Sequence, residues 1–302
     1  MPDPESTTTA PLQVWFATLA LAAVIWVLAW IAATEIELSV PTSFTVFNAA
    51  RIRAYGQREA ATGAKRVVLI GSSSLKYATR DESELAAAIS SAAGEPVEVL
   101  RITSNWGSFD DFAPLASTIQ ELKPDVVVME SEFLATDRPR QRRFLLLVER
   151  TRHALGIDRQ VETTAESEAD VQFDHACWRR KAVRNLESFR EHRAEWVTVR
   201  PGGPAPVAAR RFAEELLASG AHVALLTIPR RPDYEEDSRP ARIAAASGPQ
   251  GQALASRVQR WEPEPIPIEL YCDLTHLLPA GQQRFSDWLQ SRIAATLIPH
   301  AG

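Results

Sequence analysis

Val67-Val68-Leu69-Ile70-Gly71-Ser72-Ser73-Ser74-Leu75 is the stretch that decides the fold. Four consecutive apolar residues, Val67 to Ile70, mark a strand buried on both faces, as in a parallel sheet covered by helices. The small residues that follow form a turn that lifts a serine clear of the sheet. Turns at the carboxyl edge of a parallel sheet are where such folds build their sites.

Working outward, the pattern repeats. Asp81-x-x-Glu84 before Leu85 reads as a helix start, and 97–102 reads as a second strand. Residues 112–122 read as a helix stopped near Pro124, and 126–129 as a third, wholly apolar strand. Strand, helix, strand, helix, strand predicts an α/β fold with a central parallel sheet and helices on both faces. Helices are also expected over 140–155, 178–196 and 207–219, the last capped by Gly220. A fourth strand is expected over 223–228, and a closing helix over 279–297. Residues 161–170 read as a loop, and 234–250 as mobile at first and helical later. The stretch 135–205 is long for one connection in such a sheet and reads as an inserted cap or partner surface.

Composition is ordinary for a globular chain, with 45% hydrophobic and 24% charged residues. A net charge of -5 gives no reason to expect nucleic-acid binding. The basic run 138–143 reads as a solvated helix face or loop. Two cysteines, Cys177 and Cys272, are too few for a disulfide scaffold and lack metal-ligand spacing. One bridge or two buried thiols fit equally. Neither a metal nor a cofactor is expected.

One segment departs from that average. Residues 12–33 carry no charge, and a helix of that length spans roughly 33 Å, enough for a hydrocarbon core. Trp15, Trp26 and Trp30 lie toward its ends, as interfacial aromatics do. The preceding tail holds Asp3 and Glu5 and no Lys or Arg, so an uncleaved anchor fits better than a signal peptide with its basic start. The chain divides into a tail and transmembrane anchor (1–34), a juxtamembrane connector (35–64) with a short helix near 47–58, and an α/β domain (65–302).

The chemistry comes from pairing two distant segments. Asp273-Leu274-Thr275-His276 places a carboxylate three residues before an imidazole. A serine hydroxyl needs a base to take its proton during attack, and the base needs an orienter. Ser73, His276 and Asp273 supply all three roles. Read singly, each segment also fits an ordinary Ser-rich turn or a helix-capping Asp beside a surface His. The histidines at 153, 175, 192, 222 and 300 have no comparable surroundings.

On these residues the chain resembles the SGNH, or GDSL-type, hydrolase superfamily. Gly71-Ser72-Ser73 matches its first block with Ser in place of Asp, a variant typical of the membrane-anchored DltD-like and alginate-acetylation-like branch. Asp273-x-x-His276 matches its last block, and Asn105-Trp106-Gly107 fits its second. The resemblance covers residues 65–130 and 220–298. It implies an SGNH/flavodoxin-like three-layer sandwich with Ser73 as nucleophile, His276 as base and Asp273 as orienter. It also implies an oxyanion hole from the N–H groups of Ser73 and Gly107, with Asn105 toward substrate. The third block departs: where an Asn donor is expected, the chain has Glu130-Ser131-Glu132. An ionised Glu cannot donate, which leaves Ser131 as the donor there, and losing one oxyanion donor typically costs about 10²–10³ in rate.

By the same resemblance the protein is expected to act in O-acylation, chiefly O-acetylation, of an extracytoplasmic glycan through a serine acyl-ester. Its expected partners are the bilayer, a membrane-bound O-acyltransferase and the glycan acceptor, at the inner membrane with the domain on the periplasmic side. The arginines at 51, 53 and 58, set against none before the span, point the other way. A carbohydrate esterase or lipase-type hydrolase of the same fold, and a non-catalytic anchored glycan- or partner-binding module, are the alternatives.

Overall fold

The computed structural model describes residues 12–35, 43–59, 63–104, 108–156, 197–234, 254 and 256–298. Its elements run α1 (Leu12–Glu35), α2 (Ser43–Glu59), β1 (Lys65–Ser72), α3 (Ser73–Ala78), α4 (Glu82–Ala93) and β2 (Val97–Ser104). Then come α5 (Phe109–Phe112), α6 (Ala116–Glu121), β3 (Val126–Glu130), β4 (Thr136–Asp137), α7 (Arg140–Ala154) and β5 (Thr198–Val199). The chain closes with α8 (Pro204–Ala218), β6 (His222–Leu226), β7 (Gln259–Trp261) and α9 (Pro279–Leu297).

The apolar run of β1 lies between β2 and β3, and both pairings are parallel, with Val67 opposite Val99 on one side and Val126 on the other. The sheet order is β2-β1-β3-β6-β7, parallel throughout. Renumbered within the sheet this is 2-1-3-4-5, the flavodoxin-like doubly wound order. It reverses between β1 and β3, so the crevice above their carboxyl ends is where a ligand site is expected.

Alternation along the strands sends side chains into two cores. Val68 and Ile70 join Val127 and Met129 on the face covered by α2, α5, α6 and α8. Val67 and Leu69 join Val126 and Val128 on the face covered by α3, α4 and α9. All four β1 residues are fully buried, which is why the strand shows no polar alternation. α2, within the connector stretch, belongs to this packing: Ile52 and Tyr55 are buried, and the Tyr55 hydroxyl donates to the Glu98 carbonyl at 2.7 Å.

Several sequence expectations are corrected. The single helix over 112–122 is three pieces, α5, a 3-10 turn at Ala113–Leu115 and α6, because Pro114 has no N–H for a continuous ladder. The edge strand β7 was not anticipated: it has only three residues, and Gln259 and Arg260 are exposed. The basic run 138–143 is not simply solvated. Arg143 is fully buried, donating to Asp110 at 2.5 Å and Asp137 at 3.0 Å, and Arg138 donates to both Asp111 oxygens at 2.9 and 2.7 Å. Sequence spacing cannot show that three acidic residues from α5 and β4 meet these guanidinium groups. β4 and β5 pair antiparallel across the base of the 135–205 insertion. The expected loop at 161–170 and helix at 178–196 lie outside the described residues, as does 235–250.

α1 is apolar enough to cross a bilayer over Leu12–Ala32, with mean hydropathy 2.3, and none of that window is buried.

Candidate active site

Gly71 closes β1 where α3 folds back onto the strand. A Cβ there would lie 2.6 Å from Leu75 Cδ2 and 2.7 Å from Leu75 Cβ, so the approach requires glycine. Its φ is not positive; the reason is steric room rather than the bend anticipated from sequence. Ser72 caps α3, its Oγ accepting the Ser74 N–H at 3.2 Å. Ser73 is therefore the first residue of α3, at the carboxyl edge of the sheet beside the switch point.

The other half is the loop 271–277. Tyr271 and Leu277 form an antiparallel bridge, and the Cys272 N–H donates to the His276 carbonyl at 2.9 Å, closing the loop on itself. Inside it, Asp273 Oδ1 accepts the N–H groups of Thr275 and His276, both at 2.8 Å, while Oδ2 lies 2.7 Å from His276 Nδ1. One carboxylate thus fixes the loop and the imidazole together. The neighbouring 229–234 segment braces it, Arg231 N–H donating to the Leu274 carbonyl at 3.1 Å.

Burial alone would raise the Asp273 carboxyl; the hydrogen bond and charge of His276 and the two backbone donors outweigh it and bring the pKa down to about 2. With Nδ1 engaged by this carboxylate, Nε2 is the nitrogen left to take a proton. It is buried and has no hydrogen-bond partner among the described residues, so no Ser73 Oγ–Nε2 bond is formed. Catalytic hydrogen bonds in unliganded sites often tighten only with substrate. The imidazole nonetheless stands over the right helix: its ring meets Tyr77 edge-on at 4.8 Å, and Tyr77 is one turn beyond Ser73 on α3.

Gly107 and Asn105 lie outside the described residues. Ser131 opens the 3-10 turn after β3, its Oγ 3.4 Å from Thr227 Oγ1. Glu130 itself turns inward and accepts the Ser72 N–H at 2.7 Å, while Glu132 pairs with Arg230. Among the described residues no group of three or more His, Cys, Asp or Glu side chains is placed to hold a metal ion.

Three contributors escaped the sequence reading. Tyr77 carries the imidazole, and only its i+4 spacing from Ser73 could have flagged it. Arg101 clamps the carboxyl end of α3, donating to Thr79 Oγ1 and the Arg80 carbonyl, both at 2.7 Å; burial lowers its pKa to about 10, so it stays charged. Glu130 holds the Ser72–Ser73 turn through the Ser72 N–H. Its one sequence signal is a carboxylate ending an apolar strand.

Burial, and then the neighbouring Glu132 charge, push the Glu130 carboxyl upward, against the opposing effects of the Ser72 donor and Arg230. A raised folded-state pKa contributes stability that is complete below the unfolded value of 4.5 and is lost as pH rises through the folded value. Glu130→Gln keeps an acceptor for Ser72 N–H and cannot ionise. Its melting temperature relative to wild type is expected to climb between pH 5 and pH 8 in a thermal denaturation series. Glu130→Ala leaves the Ser72 N–H unpaired and is expected to cost about 1–3 kcal/mol in urea unfolding.

Among solved structures the chain is similar to a lipase/acylhydrolase from Enterococcus faecalis, with 14% identity over 79% of this chain and 100% of that one and a TM-score of 0.40. It is also similar to a GDSL-like lipase from Bacteroides thetaiotaomicron, with 12% identity over 83% and 100% of the two chains and a TM-score of 0.39. A lipase from a goat rumen metagenome gives 11% identity over 77% and 98%, with a TM-score of 0.41. No protein-family model and no curated protein matches the chain. At these identities and TM-scores the functional reading rests on the site itself.

Proposed function

We propose that this chain is an SGNH-type serine acyl-ester protein of the membrane-anchored branch, in which Ser73 attacks an acyl carbonyl. One observation carries the proposal: an Asp273-oriented imidazole, its Nε2 buried and without a partner among the described residues, packed on the helix that Ser73 begins. His276 takes the Ser73 proton as the Oγ–carbonyl bond forms, and Asp273 balances the imidazolium charge. By the resemblance, the oxyanion donors in this reading are the N–H groups of Ser73 and Gly107, helped by Ser131. Collapse of the tetrahedral intermediate expels the donor group, which takes the proton from His276. A second hydroxyl then gives its proton to His276 and attacks the acyl-serine, and as the acyl–Oγ bond breaks the departing Ser73 Oγ takes that proton back from His276.

The acceptor is a sugar hydroxyl of an extracytoplasmic glycan, and the acyl donor is delivered by a membrane-bound O-acyltransferase. Support for this comes from the apolar, exposed α1, which suits an anchor beside such a partner, and from the Gly-Ser-Ser form of the first block. Cys272 is disulfide-bonded, which supports an oxidising, periplasmic location; the sequence's other cysteine, Cys177, lies outside the described residues. With water as the acceptor the same residues make an esterase, since the triad steps are identical.

Treating the full chain with a fluorophosphonate tests the serine. Wild type is expected to label and Ser73→Ala is not. Equal labelling of both places the nucleophile elsewhere, and no labelling of a folded wild type returns the non-catalytic binding module. Offering p-nitrophenyl acetate with and without an oligosaccharide, and weighing the sugar by mass spectrometry, separates transfer from hydrolysis.

A further inference from the structure

α7 has three faces with three different surroundings. At one, Arg143 is fully buried against Asp110 and Asp137. On the next, Phe144 packs against the last turns of the α1 span, its ring 5.4 Å from Trp26 and 5.3 Å from Trp30. Opposite Arg143, at 3.6-residue periodicity, run Leu145, Val148 and, one residue past the helix, Leu155, with the long side chain of Arg152 on the same face. Leu145 is 47% exposed, Val148 40% and Leu155 69%. The helix sequence holds five arginines and a single glutamate, and Arg140 and Arg152 are exposed.

We infer that α7 is a second membrane contact: it lies in the bilayer interface beside α1, with Leu145, Val148 and Leu155 among acyl chains and the exposed Arg140 and Arg152 at the level of phospholipid phosphates. The inference rests on reading α1 as a membrane anchor. Given that reading, continuity fixes the depth. Trp26 and Trp30 belong to the interfacial end of the span nearer the domain, so a helix touching both rings is at headgroup level. An apolar stripe facing away from the protein at that level meets lipid, and a basic helix there is matched by charge. The domain is then held by two contacts, its orientation to the membrane plane fixed rather than swinging on the connector.

The test uses the full chain in phosphatidylcholine–phosphatidylglycerol vesicles, with an environment-sensitive fluorophore on an introduced cysteine and the unsubstituted chain as blank. Three positions are compared: Val148→Cys on α7, Leu21→Cys in α1 and Ala87→Cys on the exposed face of α4. Nitroxide-bearing lipids are expected to quench 148 to the same order as 21 and to leave 87 unquenched. Quenching at 21 without quenching at 148 overturns the inference while keeping the anchor, and opens the α7 stripe to a protein partner instead. A lack of quenching at 21 overturns both.

Discussion

Replacing His276 with alanine is expected to lower acyl turnover by about 10³-fold or more while leaving the fold intact. The base is what makes a serine hydroxyl reactive at neutral pH, and general-base assistance contributes typically about 10²–10⁴. The ring is half of a two-part device, so Asp273→Asn is expected to fall in the same range. It removes the negative charge that balances the imidazolium and disturbs the acceptor of two backbone N–H groups. Because the residues act as a unit, the double variant loses little more than either single one. Hydrolysis of p-nitrophenyl acetate, with circular dichroism to check folding, reads the effect; wild-type turnover in His276→Ala would remove this imidazole from the chemistry. Asp273 also carries a pH signature. Its folded-state pKa is depressed to about 2, so its contribution of about 2 kcal/mol is present above pH 4 and is lost as pH falls through 2. The stability gap between wild type and Asp273→Asn should therefore close on acidification.

Arg143→Ala is expected to cost about 3–5 kcal/mol of folding stability, a large share of what a single domain has to spend. The residue has no exposed side-chain surface, and its loss takes the shared guanidinium from two buried carboxylates, Asp110 and Asp137. Burial already pushes both carboxyls above the ordinary range, with Arg143 holding them down. Without it they rise further and bind protons. A raised folded-state pKa gives stability that is complete below the unfolded value of 3.8 and lost as pH rises, so the deficit of the variant should be smaller at pH 4 than at pH 8. Urea midpoints at the two values measure it, and a deficit independent of pH would show that packing, not charge, is what the arginine supplies.

What the sequence made legible follows from where each signal resides. Val67 to Ile70 and Val126 to Met129 could be read because burial on both faces writes itself as an unbroken apolar run. β7 could not, since an edge strand of three residues with Gln259 and Arg260 in solvent has no pattern to read. The helix over 112–122 was legible as helix but not as broken, although Pro114 was in plain view. In the site, Asp273 and His276 are three residues apart, so their pairing was a local inference. Tyr77 beside the imidazole had only its i+4 spacing from Ser73 to announce it, and Glu130 beside Ser72 and the acidic partners of Arg138 and Arg143 are tertiary contacts with no local spacing at all. The expected roles of Gly107 and Asn105 lie outside the described residues.

The closing helix has a temporal consequence. α9 is stitched to the end of α3 from some two hundred residues away: Ser286 Oγ accepts the Arg80 N–H at 3.0 Å, and Gln282 donates to the Thr79 carbonyl at 2.8 Å. Contacts of such sequence separation form late, because loop closure must precede them. Ser73 and the Asp273–His276 loop are separated by a comparable length of chain, so the proposed nucleophile and its base can act together only after the intervening strands have folded.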